Sequence, residues 1–326
     1  NRGLAYTFLD DPQAAFDDFS AAIEIDPYGA DAYVARARLF MGEGDLDAAL
    51  QDLDTALEVN PRYASAYLNR GQIYQQQGDY EKARIDFENV VILAPENPEG
   101  YYRRGTLALE TGSAEAALID LNVALQLFPD FPEAHHARGR AYMALGQPQS
   151  AAEDYEVAYS LGLKGAPLLT DLGLAYYQIG ETQRALNTLT EATRVGPDDA
   201  EAHYTLALVL LAVGRSYPAL LEANWAIRLR PDYAEALALR ATAWLELDNY
   251  ANAEEDFWAA YQLDPTNIGA VYGVAKARAA SGDAEGAIEA LETYFEVAPP
   301  SAPNYAAAEA LLEALKQEVS EAEEPD

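Results

Sequence analysis

A chain of 326 residues with 54 acidic against 21 basic side chains, a formal net charge of −33, opposes phosphate backbones and anionic lipid surfaces, which argues against nucleic-acid and membrane-surface partners. Cysteine is absent, which excludes disulfides and thiolate chemistry and leaves the compartment undecided. Half the residues are apolar, yet no apolar run reaches the about eighteen residues that a membrane span needs.

Prolines 27, 61, 95, 129, 197, 231, 265 and 299 fall on one 34-residue ruler, with Leu163 at the missing mark. Self-similarity at that period marks a repeat array, in which each unit is a small helical hairpin that must stack on its neighbours to bury its apolar face. The ruler gives a partial unit (1–29), eight full units (30–63, 64–97, 98–131, 132–165, 166–199, 200–233, 234–267 and 268–301) and a tail (302–326).

The partial unit contributes Arg2 and Asp18 and places Asn1 inside a first helix, so further sequence is expected upstream: more repeats, a signal sequence or another domain. In the next four units a ring opens the first helix (Tyr33, Tyr67, Tyr101, His135). Four residues later a small side chain (Ala37, Gly71, Gly105, Gly139) predicts a close helix approach. Gly44, Gly78, Gly112 and Gly146 suit the left-handed residue that ends a helix, and Asp45 and Asp79 suit the N-cap of the next. The second helix pairs an alanine (Ala49, Ala83, Ala117, Ala151) with a large residue four positions on (Leu53, Phe87, Leu121, Tyr155), and the proline stops it. Each of these units also sets an arginine sixteen residues before an aspartate: Arg36–Asp52, Arg70–Asp86, Arg104–Asp120 and Arg138–Asp154.

The segment 160–167 lacks the ruler proline and carries Gly162 and Gly165, so a hinge or a change of curvature is expected there. The later units keep the packing columns (Gly173, Ala207, Ala241, Ala275; Leu189, Ala223, Phe257, Leu291) but lose the charges. Arg240–Asp256 persists, whereas Leu172 accompanies Thr188, Leu206 accompanies Glu222 and Val274 accompanies Ala290. Loss in step predicts contact, an ion pair across each hairpin that has both partners. In the tail, Tyr305, Leu311, Leu312, Leu315 and Val319 at helical spacing predict a capping helix over 302–320, followed by an acidic end at 321–326.

In unit 64–97 the columns read Tyr67, Arg70-Gly71, Tyr74, Gly78-Asp79-Tyr80, Ala83, Phe87 and Pro95, and they recur through about residue 301. This set closely resembles the tetratricopeptide repeat. The resemblance implies an all-α, right-handed superhelical solenoid of helix–turn–helix repeats whose first helices line a concave groove, in a protein that binds peptides or assembles complexes. It does not name the partner.

Chemistry-bearing motifs are lacking: no phosphate-binding loop, dinucleotide fingerprint, nucleophile elbow or helical His pair is present. His135 and His203 sit in the ring column and read as packing residues. The acidic clusters, such as Asp198-Asp199 and Glu254-Glu255-Asp256, lack calcium-loop order and read as solvated surface. No catalytic residue, metal or cofactor is expected, and the chain reads as a non-enzymatic scaffold that binds a protein or peptide.

First-helix positions left free by the packing columns define the candidate partner-binding set. It is polar in the first half (Arg38, Gln72, Tyr102, Arg103, His136, Arg140) and apolar in the second (Tyr177, Tyr204, Leu208, Leu211, Tyr272); Val34 and Thr170 fall in the same rows. Co-chaperone members of the resembled family clamp a terminal carboxylate with lysines and asparagines. Here Asn69, Arg103 and Arg140 stand without the lysines, so that ligand is not expected. Two alternatives stay open: a self-assembling filament or homo-oligomer subunit, and the non-catalytic repeat region of a larger enzyme.

Overall fold

The computed structural model describes residues 2–9 and 11–323, and among them the chain forms nineteen helices and no strand. It divides into two compact units, 1–163 and 164–326, with the boundary inside the 160–167 segment. The first unit holds α1 (Arg2–Phe8), α2 (Pro12–Ile25), α3 (Ala30–Glu43), α4 (Leu46–Val59), α5 (Ala64–Gln76), α6 (Tyr80–Leu93), α7 (Pro98–Glu110), α8 (Ala114–Leu127), α9 (Pro132–Ala144) and α10 (Pro148–Ser160). The second holds α11 (Ala166–Gln178), α12 (Thr182–Val195), α13 (Ala200–Ala212), α14 (Ser216–Leu229), α15 (Ala234–Glu246), α16 (Tyr250–Leu263), α17 (Ile268–Ala280), α18 (Ala284–Val297) and α19 (Tyr305–Glu323).

Local chemistry sets the helix ends. Asp45, Asp79 and Asp283 each accept a hydrogen bond from the backbone N–H three residues on, covering a donor that the first turn leaves unpaired. The turn glycines adopt positive φ, and where the ruler lacks one, Asp248 takes the left-handed conformation at φ 58°.

Within each unit a first helix packs on its second helix and then on the next hairpin, and successive first helices also touch (α3 with α5, α5 with α7, α11 with α13, α13 with α15). Successive second helices have no comparable contact among the described residues, so in each unit the first helices form the inner face. The small-residue column makes the close approach possible. Ala49, Ala83, Ala117, Ala151 and Ala185 are fully buried, and a Cβ added at Gly139 would lie 2.3 Å from the Tyr155 ring.

The expected ion pairs all form. Each is a two-pronged fork in which Arg Nε and Nη2 donate to the two carboxylate oxygens, at 2.7 and 2.8 Å for Arg36–Asp52 and 2.8 and 2.8 Å for Arg70–Asp86. Arg104–Asp120, Arg138–Asp154 and Arg240–Asp256 repeat the geometry. The aspartates are buried, and the Asp86 hydrogen bonds hold the Arg70 guanidinium above its ordinary pKa. Arg70 Nη1 also donates to Asp54 at 2.6 Å, Arg138 to Asn122 and Arg240 to Asn224 at 2.8 Å, so these forks bind the preceding hairpin as well.

The two column histidines do more than pack. Tyr33 and Tyr67 donate their hydroxyls to the carbonyls of Pro27 and Pro61, and Nε2 of His135 and His203 reaches the carbonyls of Pro129 and Pro197 in the same way. Nδ1 of His135 meets Asp154 at 2.9 Å, and Nδ1 of His203 meets Glu222 at 2.7 Å. Glu222 therefore keeps a carboxylate in a hairpin without the arginine.

At the C-terminal end, α19 packs on α18 through Ala308 and Leu315, buried with Leu291 and Tyr294. The helix starts at Tyr305, after the turns of 300–304, and runs to Glu323, past the expected boundary at 320. Residues 324–326 of the expected acidic end lie outside the described residues.

Candidate partner-binding surface

The free rows of the first helices sit on the inner face of each unit, and none of the candidate residues is buried. Two neighbours in those rows are. Val34 is 3% exposed because it packs with Leu53, Leu57 and Ile73, and Thr170 is 6% exposed.

In the first unit the inner face is a set of closed polar contacts. Arg38 Nε donates to Asn69 Oδ1 at 3.2 Å, and the buried Asn69 amide donates in turn to the Ser65 carbonyl at 2.6 Å. Arg103 donates to Glu99 at 2.7 Å, and the Gln72 amide oxygen, turned toward it, accepts from Nε and Nη2 at 3.1 Å. Gln75 Nε2 donates to Glu110 at 2.8 Å, from α5 to α7. The Tyr102 ring packs 4.8 Å from Phe131, and burial raises its hydroxyl pKa. His136 meets the Tyr155 ring edge-on at 5.5 Å, and Arg140 is exposed. Asn69 and Arg103, two of the three residues that could hint at a carboxylate clamp, thus already have protein partners.

In the second unit the inner face is apolar. Tyr204, Leu208 and Leu211 of α13, with Ala238, Leu239 and Thr242 of α15, Phe257 of α16 and Asn267, Gly269 and Ala270 of 267–270, line an open hollow of about 290 Å³. Tyr204 stacks at a tilt on Tyr233, 4.9 Å between ring centres, while Leu208 and Leu211 lean on Ala207, Ala223 and Leu239. Burial raises the Tyr204 pKa, as expected of a phenol on an apolar floor. Tyr177 on α11 is half-buried outside the hollow, and Tyr272 on α17 packs against Tyr294 at 5.9 Å. The structure thus gathers Tyr204, Leu208 and Leu211 at one place and leaves Tyr177 and Tyr272 on flanking helices.

A contact that column reading missed recurs in both units. Tyr63 donates its hydroxyl to Asp31, and Tyr233 donates to Glu201 at 2.6 Å, each across 32 residues from one hairpin to the one before. Burial first and the carboxylate second raise both phenols, Tyr63 to about 12. The signal was present as a Tyr at the same ruler position in two units, with an acid two residues short of one period upstream. Among the described residues no helix is long and apolar enough to cross a membrane.

Family models described as tetratricopeptide repeat or TPR repeat match residues 1–28, 34–98, 75–132, 132–162, 173–214 and 245–312. Among solved structures, a chain of "APC/C hetero-tetramer Cut9-Hcn1" aligns with a TM-score of 0.66 and 17% identity over 94% of this chain, which spans 59% of that one. A tetratricopeptide repeat protein from Parabacteroides merdae ATCC 43184 aligns with a TM-score of 0.60 and 20% identity, covering 76% of this chain and 98% of that one. PilF of Pseudomonas aeruginosa aligns with a TM-score of 0.57 and 20% identity, covering 65% and 96%. No curated protein matches the chain in sequence. With these models spread from residue 1 to 312 over the helical hairpins of both units, the chain belongs to the tetratricopeptide repeat family.

Proposed function

We propose that this chain is a non-enzymatic scaffold that holds an apolar segment of a partner protein on the first-helix face of residues 164–326, seated on Tyr204, Leu208 and Leu211. The observation that carries the reading is the open hollow at those residues, contiguous apolar surface that no other part of the same unit covers. A row that is both apolar and concave suits side chains from an extended or helical segment, with Tyr177 and Tyr272 on the flanking helices extending the contact. The polar row of the first unit is a poorer site, because a ligand there must first break the Arg38–Asn69 and Arg103–Glu99 contacts. We take α19 as the cap that ends the array, since its buried Ala308 and Leu315 cover the last hairpin.

The test is selection from a displayed random-peptide library on the intact chain, followed by titration of an enriched peptide. Apolar peptides should be enriched, and the paired change Tyr204→Ser with Leu208→Ser should weaken them by about tenfold or more while helicity and melting temperature hold. Unchanged affinity in that variant refutes the site. Enrichment of acidic or basic peptides without apolar residues refutes its chemistry.

A further inference from the structure

The second helices form the outer surface of each unit, and their solvent-facing columns are mostly polar, with exposed apolar side chains such as Ile85, Ile119 and Val157 standing singly among polar neighbours along the helix or beside one other apolar residue. At the position of Tyr217 the other full units hold Asp47, Glu81, Glu115, Gln149, Gln183, Ala251 and Glu285. Leu221 stands where Gln51, Ile85, Ile119, Glu153, Asn187, Glu255 and Glu289 are found, and Trp225 where Thr55, Asn89, Val123, Val157, Glu191, Ala259 and Thr293 are found. Only in α14 are all three large and apolar. Spaced four residues apart, they share one helix face, with Tyr217 61%, Leu221 47% and Trp225 45% exposed.

Charge changes on the same helix. Residues 215–230 contain Arg215, Arg228 and Arg230 against the single carboxylate Glu222, which faces His203. In every other full unit basic side chains do not outnumber acidic ones over the matching segment. Arg228 lies over the exposed Trp225 ring, 4.6 Å from its centre, and neither Arg228 nor Arg215 has a carboxylate partner among the described residues. In a chain with a net charge of −33, where twelve of the fifteen other arginines have an acid within ion-pair distance among the described residues, two unpaired arginines on the helix that carries the apolar stripe, Arg228 over its Trp225, give that helix a positive local charge. An acidic peptide is not turned away by the chain total, because charges beyond the Debye length of about 8 Å are screened at physiological ionic strength.

We propose that the outer face of α14 is a second docking surface, separate from the inner-face site, and that it takes an acidic amphipathic segment of a partner protein. The segment's apolar side chains lie along Tyr217, Leu221 and Trp225, and its carboxylates pair with Arg215 and Arg228. Apolar contact supplies the affinity and the arginines select the sign of charge.

The probe is a fluorescein-labelled amphipathic helical peptide with Leu and Phe on one face and Glu on the other, set against a twin in which every Glu is Lys. Anisotropy should show the Glu peptide binding the intact chain about tenfold or more tighter than the Lys twin. Leu221→Glu and Arg228→Glu install residues that other repeats carry at those columns, so the hairpin is expected to stay folded, and circular dichroism checks it. Each should weaken the Glu peptide by about tenfold or more, while the Tyr204→Ser, Leu208→Ser variant binds it as before. Absence of binding at millimolar peptide, equal binding of the two twins, or indifference to both α14 substitutions overturns the proposal. So does self-association in sedimentation, or capture on phosphatidylserine vesicles, that Leu221→Glu abolishes, since a second copy or a membrane would then be the occupant.

Discussion

Residues 1–163 and 164–326 are built from the same hairpin, yet they spend their free positions differently. Every full hairpin of the first unit carries an Arg–Asp fork, and its inner row closes on itself through Arg38–Asn69, Gln72–Arg103–Glu99 and Gln75–Glu110. The second unit keeps one fork, Arg240–Asp256, places Leu172, Leu206 and Val274 in the arginine column, and presents Tyr204, Leu208 and Leu211 on its inner row. The difference teaches that the 34-residue fold dictates only the packing columns. Cross-hairpin contact can be made by a buried ion pair or by apolar side chains, and the exposed row is then free to be satisfied internally or left for a partner.

The largest expected effect comes from breaking a fork. Arg70→Leu strands the carboxylate of Asp86, 2% exposed, and should cost about 3–5 kcal/mol of stability in chemical denaturation. Arg70→Leu with Asp86→Thr reproduces the solution of Leu172 with Thr188, and most of the loss should return. If the double variant is as unstable as the single one, the two units are not alternative solutions to one packing problem.

A middle-sized effect separates the small-residue columns. Gly139→Ala puts a methyl group 2.3 Å from the Tyr155 ring and should cost about 1–3 kcal/mol through overpacking. Ala207→Gly, at the same column in the second unit and facing the small Ala223, should cost only about 1 kcal/mol, the ordinary penalty of a helical glycine. A gain in stability for Gly139→Ala, which helix propensity alone would give, would mean that the ring opposite does not set the column's small residue.

The smallest effect is shared by both units. Tyr63 has a folded pKa raised to about 12 from an unfolded value of about 10, so the stability it contributes is complete below pH 10 and is lost as pH rises through 12. Melting curves of the intact chain and of Tyr63→Phe should therefore differ most below pH 10 and converge toward pH 12. Tyr233→Phe should shift with the same sign, because Glu201 raises that phenol as Asp31 raises Tyr63.

The period, the helix ends and the fork pairs were legible in the sequence because each repeats along one ruler, and eight copies of a hairpin act as their own alignment. His135 and His203 were half legible. Their column showed that they replace Tyr, but the shared task, reaching a proline carbonyl six residues back, depends on a turn geometry that spacing does not reveal. The burial of Val34 was not legible, because whether an inner-row residue is covered depends on how far the next hairpin overlaps it. The polar closures of the first unit, Arg38–Asn69 above all, join positions 31 residues apart whose partners change from hairpin to hairpin, so no column records them.

The contrast between the two inner rows is tested most directly by titrating one library-selected apolar peptide against two variants of the intact chain, Leu208→Ser and Gln72→Ala. The dissociation constant should rise by about tenfold or more for Leu208→Ser and stay within about twofold for Gln72→Ala. A rise for Gln72→Ala with Leu208→Ser unchanged would place the partner on the polar row and contradict the division of labour between the units.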